Sequence, residues 1–127
     1  MSAARRASGR RTPAQAAGAL AEEAAARYLA ERGLAILGRN YRTRLGEVDL
    51  VARDGDTLVF VEVRLRSSDR FGGAAASVGP RKRARIEAAA RHYLARLAAE
   101  PPCRFDVVTW DGREAAWLRG AFDARGG

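Results

Sequence analysis

Two acidic residues on neighbouring predicted strands are the strongest indication of chemistry in this sequence. Asp49 lies in one strand-like segment, residues 46–51, and Glu62 lies in another, residues 58–64. The Asp-Gly-Asp-Thr sequence between them (residues 54–57) predicts a tight hairpin, because Gly and Asp accept the backbone angles that such turns need. A turn centred on residues 55 and 56 sets Asp49 directly opposite Glu62, with Cβ atoms about 4.5–5.5 Å apart.

The closeness of these two carboxylates favours a metal site. Carboxylates at that separation repel each other unless a cation lies between them or one takes up a proton. The alternative is that both acids are solvated on the open side of an antiparallel sheet, which is the commonest position for strand carboxylates. Against it, apolar residues on both sides of Glu62 indicate a strand buried on both faces, where acids are rarely left without partners.

The same register assigns the other hairpin residues to faces. It sets Glu47 opposite Arg64, on the surface that carries the two acids. The second surface is wholly apolar, with Val48, Leu50 and Ala52 facing Val63, Val61 and Val59. A slip by one residue would divide this apolar set between two faces, so the sequence specifies the register strongly.

The elements that must position these acids follow an α/β order. Apolar spacing and turn signals predict helices over residues 15–32 and 80–99, a Gly- and Ala-rich loop over 67–79, and strands over 34–42, 45–53, 57–66, 104–110 and, in a short final segment, 115–118. The helix between the third and fourth strands favours a right-handed crossover, and therefore a partly parallel sheet. We expect an αβββαβ core with a mixed sheet flanked by helices.

A third acid lies on the first predicted helix. Glu22 shares a helical stripe with Ala25, Ala26 and Leu29, so its side chain is expected to point towards the sheet. An inward acid needs a partner, which the hairpin acids or their metal would supply. The alternative is an acid at the helix edge that only interacts with the helix dipole. The spacing leaves both interpretations open.

Length and composition bound the class of protein. The 127 residues suit one domain (15–119) between a basic disordered tail (1–14) and a flexible C-terminal tail (120–127). A single Cys and a single His exclude a disulfide framework and a zinc site of Cys/His type within one chain. No apolar run approaches 18 residues and none follows the basic N-terminus, so we expect no membrane partner, no secretory signal and a cytoplasmic location.

An excess of positive charge favours a polyanionic partner. The chain carries 23 Lys and Arg residues against 15 Asp and Glu residues, a net charge of +8. Four Arg and no acid lie in residues 1–14, and a second basic cluster opens the second helix, with Arg81, Lys82, Arg83 and Arg85. This balance favours nucleic acid as the partner. A charged surface that only keeps the protein soluble gives the same composition.

Several motifs together resemble the YraN-like uncharacterised bacterial proteins. The resemblance covers residues 17–110 in register, including the second helix with its basic start. Its motifs are Gly-x-x-Ala-Glu-x-x-Ala-x-x-Tyr-Leu-x-x-x-Gly (18–33), Leu-x-Arg-Asn-Tyr-Arg (37–42), Gly-Glu-Val-Asp-Leu (46–50), Phe-Val-Glu-Val-x-x-Arg (60–66) and Arg-Phe-Asp-Val-Val (104–108). That family is similar to the restriction-endonuclease-like, PD-(D/E)XK superfamily and to archaeal Holliday-junction resolvases.

The resemblance implies a restriction-endonuclease-like αβββαβ core, dependence on Mg²⁺ (or Mn²⁺) and cleavage of DNA phosphodiesters. By position, Asp49 and Glu62 become metal ligands, Glu22 an accessory acid and Arg64 the fourth catalytic residue. The cations expected to hold nucleic acid are Arg39, Arg42, Arg66, Arg81, Lys82, Arg83 and Arg85. The superfamily analogy also implies a homodimer.

Arg64 departs from the superfamily pattern, which has Lys two residues after the Glu. A guanidinium can neutralise charge and hold a phosphate, but it cannot give up a proton near neutral pH. Either Arg64 keeps an electrostatic role, or this chain has lost turnover. The chain has 22 Arg and one Lys, so replacement of Lys by Arg fits a chain-wide bias.

Three functional hypotheses follow from the sequence. The first is a Mg²⁺-dependent nuclease that acts on branched or otherwise structured DNA. The second is a catalytically inactive nucleic-acid-binding module with the nuclease fold. The third is a protein-interaction scaffold whose charge only keeps it soluble.

Overall fold

A five-stranded sheet with its strands in chain order forms the centre of the protein. The computed structural model describes residues 10–66 and 78–123. The elements are helix α1 (Pro13–Glu31), strands β1 (Ala35–Arg42), β2 (Glu47–Asp54) and β3 (Thr57–Leu65), helix α2 (Pro80–Leu94), and strands β4 (Cys103–Trp110) and β5 (Ala115–Phe122). Strand β3 is parallel to β4, and the other neighbouring strands are antiparallel. The predicted α/β class and mixed sheet are confirmed, and a full fifth strand extends the αβββαβ order.

Helix α1 begins earlier than predicted because a capping box starts it. The Gln15 N–H donates to Thr12 Oγ1 at 3.1 Å, and the Thr12 N–H donates to Gln15 Oε1 at 2.9 Å. Pro13 occupies the first helical position, where its missing N–H has no cost. The predicted boundary of the basic tail at residue 14 is therefore wrong, and residues 1–9 lie outside the described residues.

Helix α2 begins at Pro80 as predicted but ends at Leu94 rather than near residue 99. Leu97 is 39% exposed, so the apolar spacing that suggested a longer helix has no core contact behind it. The loop predicted before the helix lies largely outside the described residues, which resume at Val78. In the described part of the chain, no helix is long and apolar enough to cross a membrane.

The register of the β2–β3 hairpin is the predicted one. Leu50 pairs with Val61, Ala52 with Val59 and Asp54 with Thr57, around a turn in which Gly55 has a positive φ of 62°. The sequence determines this register because the turn and the apolar alternation agree.

Strand β2 bends at Asp49, and the bend changes one predicted face. The ladder with β3 ends at Leu50, because the Asp49 carboxylate accepts the hydrogen bond of the Val63 N–H at 2.8 Å. Opposite Asp49 on β1, Asn40 has a left-handed φ of 52°. Val48 consequently packs on the α2 side and Leu50 on the α1 side, so the prediction of one continuous apolar surface is wrong at Val48.

The predicted pairing of Glu47 with Arg64 is also replaced. Arg42 Nε lies 3.5 Å from Glu47 Oε1, and Arg64 Nη1 lies 3.4 Å from Glu62 Oε2. The regular ladder ends before Glu47, so the cross-strand neighbour expected from the register no longer faces it.

A separate apolar core lies on each face of the sheet. Ala25, Ala26 and Leu29 of α1 pack on the face that carries Leu50, Ala52, Val59, Val61 and Val108. Ile86, Ala89 and Ala90 of α2 pack on the other face, with Val48, Val51, Phe60, Phe105 and Val107. Strand β3 is therefore buried on both faces, as the residues around Glu62 predict.

Strand β5 is longer than predicted, so the C-terminal tail begins later. The strand continues to Phe122, whereas the sequence suggested an end at residue 118. The Gly120 N–H donates to Asp106 Oδ1 at 2.9 Å, and the Phe122 ring stacks on Phe105 with centroids 5.0 Å apart. Phe122 is only 7% exposed, so the predicted tail boundary at residue 120 is wrong. Residues 124–127 lie outside the described residues.

Candidate functional site

Asp49 and Glu62 come together at the end of the hairpin ladder, where β2 bends. The regular pairing ends with Leu50 opposite Val61, so Asp49 and Glu62 lie directly beyond the last ladder pair, and their side chains interact there. Glu62 is only 3% exposed, although it carries an ionisable group. The hydrogen bond from the Val63 N–H fixes the Asp49 carboxylate across the strand gap.

Burial and mutual repulsion perturb both acids. Burial, and next the nearby charge of Asp49, raise the pKa of Glu62 to about 7, against the opposing charge of Lys82. Burial also raises the pKa of Asp49, against the hydrogen bond from Val63, which favours the charged form. Two carboxyl groups perturbed in this way are typical of a site that takes a cation or a proton.

The two oxygens of Glu62 have different surroundings. Glu62 Oε2 lies 3.4 Å from Arg64 Nη1 and 3.6 Å from Lys82 Nζ. Glu62 Oε1 is buried, and no N–H or O–H donor of the described residues reaches it, although the Asp49 and Glu62 carboxyl groups hydrogen-bond to each other when one of them carries a proton. Among the described residues, the other buried side-chain atom without a partner is Thr109 Oγ1, and Thr109 stands beside Arg64 in the β3–β4 ladder. A proton shared by the two carboxyl groups, or a cation between them, would offset the cost of burying them together.

Glu22 approaches the same acids from α1. Burial and the negative charge of Asp49 raise the pKa of Glu22, while a hydrogen bond with Asn40 and the charges of Arg42 and Arg39 oppose them. The side chain is thus within electrostatic reach of Asp49, as the inward-stripe interpretation predicts.

The donor set at this point consists of two carboxylates. Within the described ranges, no three Asp, Glu, His or Cys side chains lie close enough together to hold a metal ion by themselves. Mg²⁺ is commonly bound through one or two carboxylates and keeps several waters. The all-oxygen character of Asp49 and Glu62, with Glu62 Oε1 lacking a donor among the described residues, therefore fits Mg²⁺ or Mn²⁺.

The other predicted site cations are distributed around the molecule. Arg64 and Lys82 reach Glu62, but Arg66 lies 3.8 Å from Asp111 Oδ2 in the turn after β4. The Arg83 Nε–H donates to the Val78 carbonyl at 2.7 Å, and its guanidinium lies over the Phe122 ring at 5.0 Å.

The remaining cations stay at the surface. Arg39 forms an ion pair with Glu23 at 2.6 Å, and Arg42 contacts Glu47 while remaining exposed. Arg81 and Arg85 are exposed on the first two turns of α2. The basic cluster predicted at the start of α2 thus divides into one cation at the acids, one against the core and two in solvent.

Comparison with known proteins identifies the family. The model of the uncharacterised protein family UPF0102 matches residues 21–110. The chain belongs to the UPF0102 family. The UPF0102 protein of Paracidovorax citrulli is 56% identical over 119 residues, which cover 91% of this chain and 88% of that protein. The UPF0102 protein of Cupriavidus taiwanensis is 58% identical over 111 residues, 87% of this chain and 85% of that protein. The family expected from the motifs is confirmed.

The segment shared with UPF0102 contains the whole site, from Glu22 to Thr109. Sequence reasoning assigned Lys82 only to a general basic cluster and missed its place at Glu62. The signal was nevertheless present, because Lys82 is the one Lys among 23 basic residues. Asn40 and Thr109 gave no such signal, since their roles depend on a strand bend and on a parallel pairing.

Proposed function

We propose that this UPF0102 protein is a Mg²⁺- or Mn²⁺-dependent nuclease that hydrolyses DNA phosphodiesters, with branched or otherwise structured DNA as its substrate. The observation that carries the proposal is the contact between the buried Glu62 and the half-buried Asp49, with two cations beside Glu62. Two adjacent carboxyl groups are stabilised by a shared proton or by a bound cation, and a bound cation is the chemistry that this proposal requires.

The residues have separate roles in this proposal. Asp49 and Glu62 would hold the metal ion, which supplies Lewis-acid stabilisation and lowers the pKa of a bound water. Glu22 lies within electrostatic reach of Asp49 and would act as the accessory acid. Arg64 is partly exposed and can donate two parallel hydrogen bonds to phosphate oxygens, as guanidinium groups commonly do.

The surface cations would hold the flanking DNA. Arg42, Arg81 and Arg85 are exposed and can contact backbone phosphates, which positions DNA without reading its sequence. The net charge of +8 supports this role, because cations at the surface also speed the encounter with a polyanion.

The identity of residue 64 favours a second candidate function, an inactive DNA-binding module. Arg64 stands where the superfamily pattern has Lys, and a guanidinium cannot transfer a proton near neutral pH. In that case the acids would bind a metal or a proton without turnover, and DNA binding would be the whole activity.

One set of assays separates the two functions. Native protein, Asp49→Asn and the exposed hairpin control Asp56→Asn are incubated with duplex, flap and four-way-junction DNA, with Mg²⁺, Mn²⁺ or EDTA. We expect metal-dependent cleavage by the native protein and the control, and none by Asp49→Asn. Mn²⁺ should also raise the melting temperature of the native protein and the control but not that of Asp49→Asn, by linkage to binding.

The contrary outcomes are also informative. DNA binding without cleavage, on every DNA structure and with either metal, would establish the inactive module. Absence of DNA binding even at low salt would overturn both functions and favour the interaction scaffold.

A further inference from the structure

The one Lys of the chain lies at the candidate site. Of 23 basic residues, 22 are Arg. Among the described residues, two cations form ion pairs with Glu62, and Lys82 is one of them, with Nζ 3.6 Å from Glu62 Oε2. On a solvated surface either basic residue would serve, so an Arg-rich chain has no evident reason to keep Lys there. At a site, the two side chains are not interchangeable, because an ammonium is a compact point charge and a guanidinium is a broad planar fork.

The backbone fixes the position of Lys82 relative to the acids. Lys82 is the third residue of α2, which follows the fully buried Val78. One turn further on, α2 touches the β1–β2 connection directly, since a Cβ atom at Gly46 would lie 1.8 Å from the Arg85 carbonyl oxygen. Gly46 immediately precedes β2, the strand that carries Asp49. The start of α2 and the acid-bearing strand therefore hold each other without an intervening side chain.

The charge of Lys82 acts on both carboxyl groups. It favours the ionised forms of Glu62 and of Asp49 alike. The Lys82 side chain is 34% exposed, so it is in contact with the acids and also with solvent. A phosphate that approached the two acids from solvent would meet this ammonium.

We propose that Lys82 is a catalytic residue that contacts the phosphate being cleaved and supplies the positive charge for which the superfamily uses a Lys at position 64. This inference rests on the proposed nuclease function. In the reaction a water oxygen bonds to phosphorus, the bond from phosphorus to the leaving sugar oxygen breaks, and the proton lost by water reaches that leaving oxygen through solvent. Lys82 keeps its protons throughout and stabilises the negative charge that develops on the phosphate oxygens. Arg64 then serves to bind the phosphate before the reaction.

The test compares Lys82→Met, Lys82→Arg, Arg64→Met and a control, Arg53→Met, which removes an exposed cation near the β2–β3 turn. Single-turnover cleavage is measured at saturating DNA, beside DNA binding in EDTA and the rise in melting temperature caused by Mn²⁺. Lys82→Met should lose about a hundredfold or more in rate, as when one preorganised donor to a developing anion is removed. Its Mn²⁺-dependent rise in melting temperature should remain, which shows that the fold and the acid pair are intact.

The other variants make the assignment specific. Lys82→Arg keeps the charge but not the compact geometry, so its rate should stay at least tenfold below native. Arg64→Met should weaken DNA binding, whereas Arg53→Met should leave both DNA binding and the saturated rate unchanged. Native-like cleavage by Lys82→Met, with loss of cleavage in Arg64→Met, would overturn the role of Lys82 and leave the nuclease function standing. Absence of cleavage by the native protein would overturn the proposed function itself, and the role of Lys82 with it.

Discussion

At the scale of residues, the candidate site places two acidic side chains close together in a partly buried position, which is energetically unfavourable. Glu62 is buried beside Asp49, and two cations near Oε2 offset only part of the cost of its negative charge. The pKa of Glu62 is consequently raised to about 7, so near neutral pH the carboxyl group is only partly ionised. A metal-free protein should therefore be less stable than its core alone would make it.

The pH dependence of stability tests this account. An acid with a raised pKa in the folded state contributes stability at low pH that is lost as pH rises, here between about 4.5 and 7. Asp49 and Glu22 act in the same direction, because their pKa values are also raised. In EDTA, the melting temperature of the native protein should therefore fall from pH 5 to pH 8.

Glu62→Gln should flatten that fall, because the amide has no proton to lose. Each pKa unit corresponds to about 1.4 kcal/mol, so at pH 8 the gain in unfolding free energy is at most about 3–4 kcal/mol. Thermal melts at several pH values, with Asp56→Asn as the exposed control, would measure it. If the melting temperature fell equally with pH in the native protein and in Glu62→Gln, ionisation of Glu62 would not destabilise the folded protein.

The sequence pattern predicted that Asp49 and Glu62 lie close together, but not which other residues contact them. Asp49 and Glu62 were predictable because a turn signal and an apolar alternation both fixed one register. The contact of Lys82 with Glu62 joins residues from separate elements, and only the packing of α2 on the sheet creates it. Local patterns carry no information on such a contact.

At the scale of elements, the contact between Gly46 and α2 connects the fold to the site. The space for a side chain at Gly46 is taken by the backbone of Arg85, which cannot rotate away. Gly46 was recognisable as part of a motif, but the reason for glycine lies 39 positions along the chain. The bend at Asp49 was unpredictable for a related reason. There the Asp49 carboxylate accepts the hydrogen bond of the Val63 N–H, whereas a prediction from sequence patterns assumes that the backbone ladder continues.

Gly46→Ala should therefore separate the β1–β2 connection from α2. Overpacking of this kind typically costs about 1–3 kcal/mol. Gly18→Ala is the matched control, because Gly18 lies within α1 with no atom near the added methyl group, and Ala should stabilise that helix by about 0.5–1 kcal/mol. Urea unfolding measures both changes. If Gly46→Ala were as stable as the native protein, the close approach of the Arg85 backbone would not require glycine at position 46.

At the scale of the whole molecule, the positive charge extends well beyond the candidate site. Arg5, Arg6, Arg10 and Arg11 precede the first helix, and Arg81 and Arg85 are exposed on α2. The composition favours a polyanionic partner, which stays a prediction, and it does not show which cations are used within the fold, as Arg83 and Arg104 are. The homodimer implied by the superfamily stays a prediction for sedimentation analysis.

The role of the N-terminal cations can be tested by deletion. Deletion of residues 1–11 takes away four Arg and leaves the Thr12 cap of α1 in place. The melting temperature should hardly change, while DNA affinity falls. Because each phosphate contact releases counterions, the log–log slope of affinity against salt should become shallower by about 0.9 for every lost contact.

Deletion of residues 1–14 serves as the comparison, because it removes the same four cations together with the capping Thr12 and the first two residues of the helix. It should show the same salt slope, but a loss of about 0.5–2 kcal/mol in stability, the usual effect of a lost N-cap. Binding isotherms at several salt concentrations measure the effect of the lost cations on DNA affinity, and thermal melts measure the effect of the lost cap on stability. A slope unchanged in both deletions would mean that these arginines do not touch DNA, and the phosphate contacts would then have to come from the folded domain.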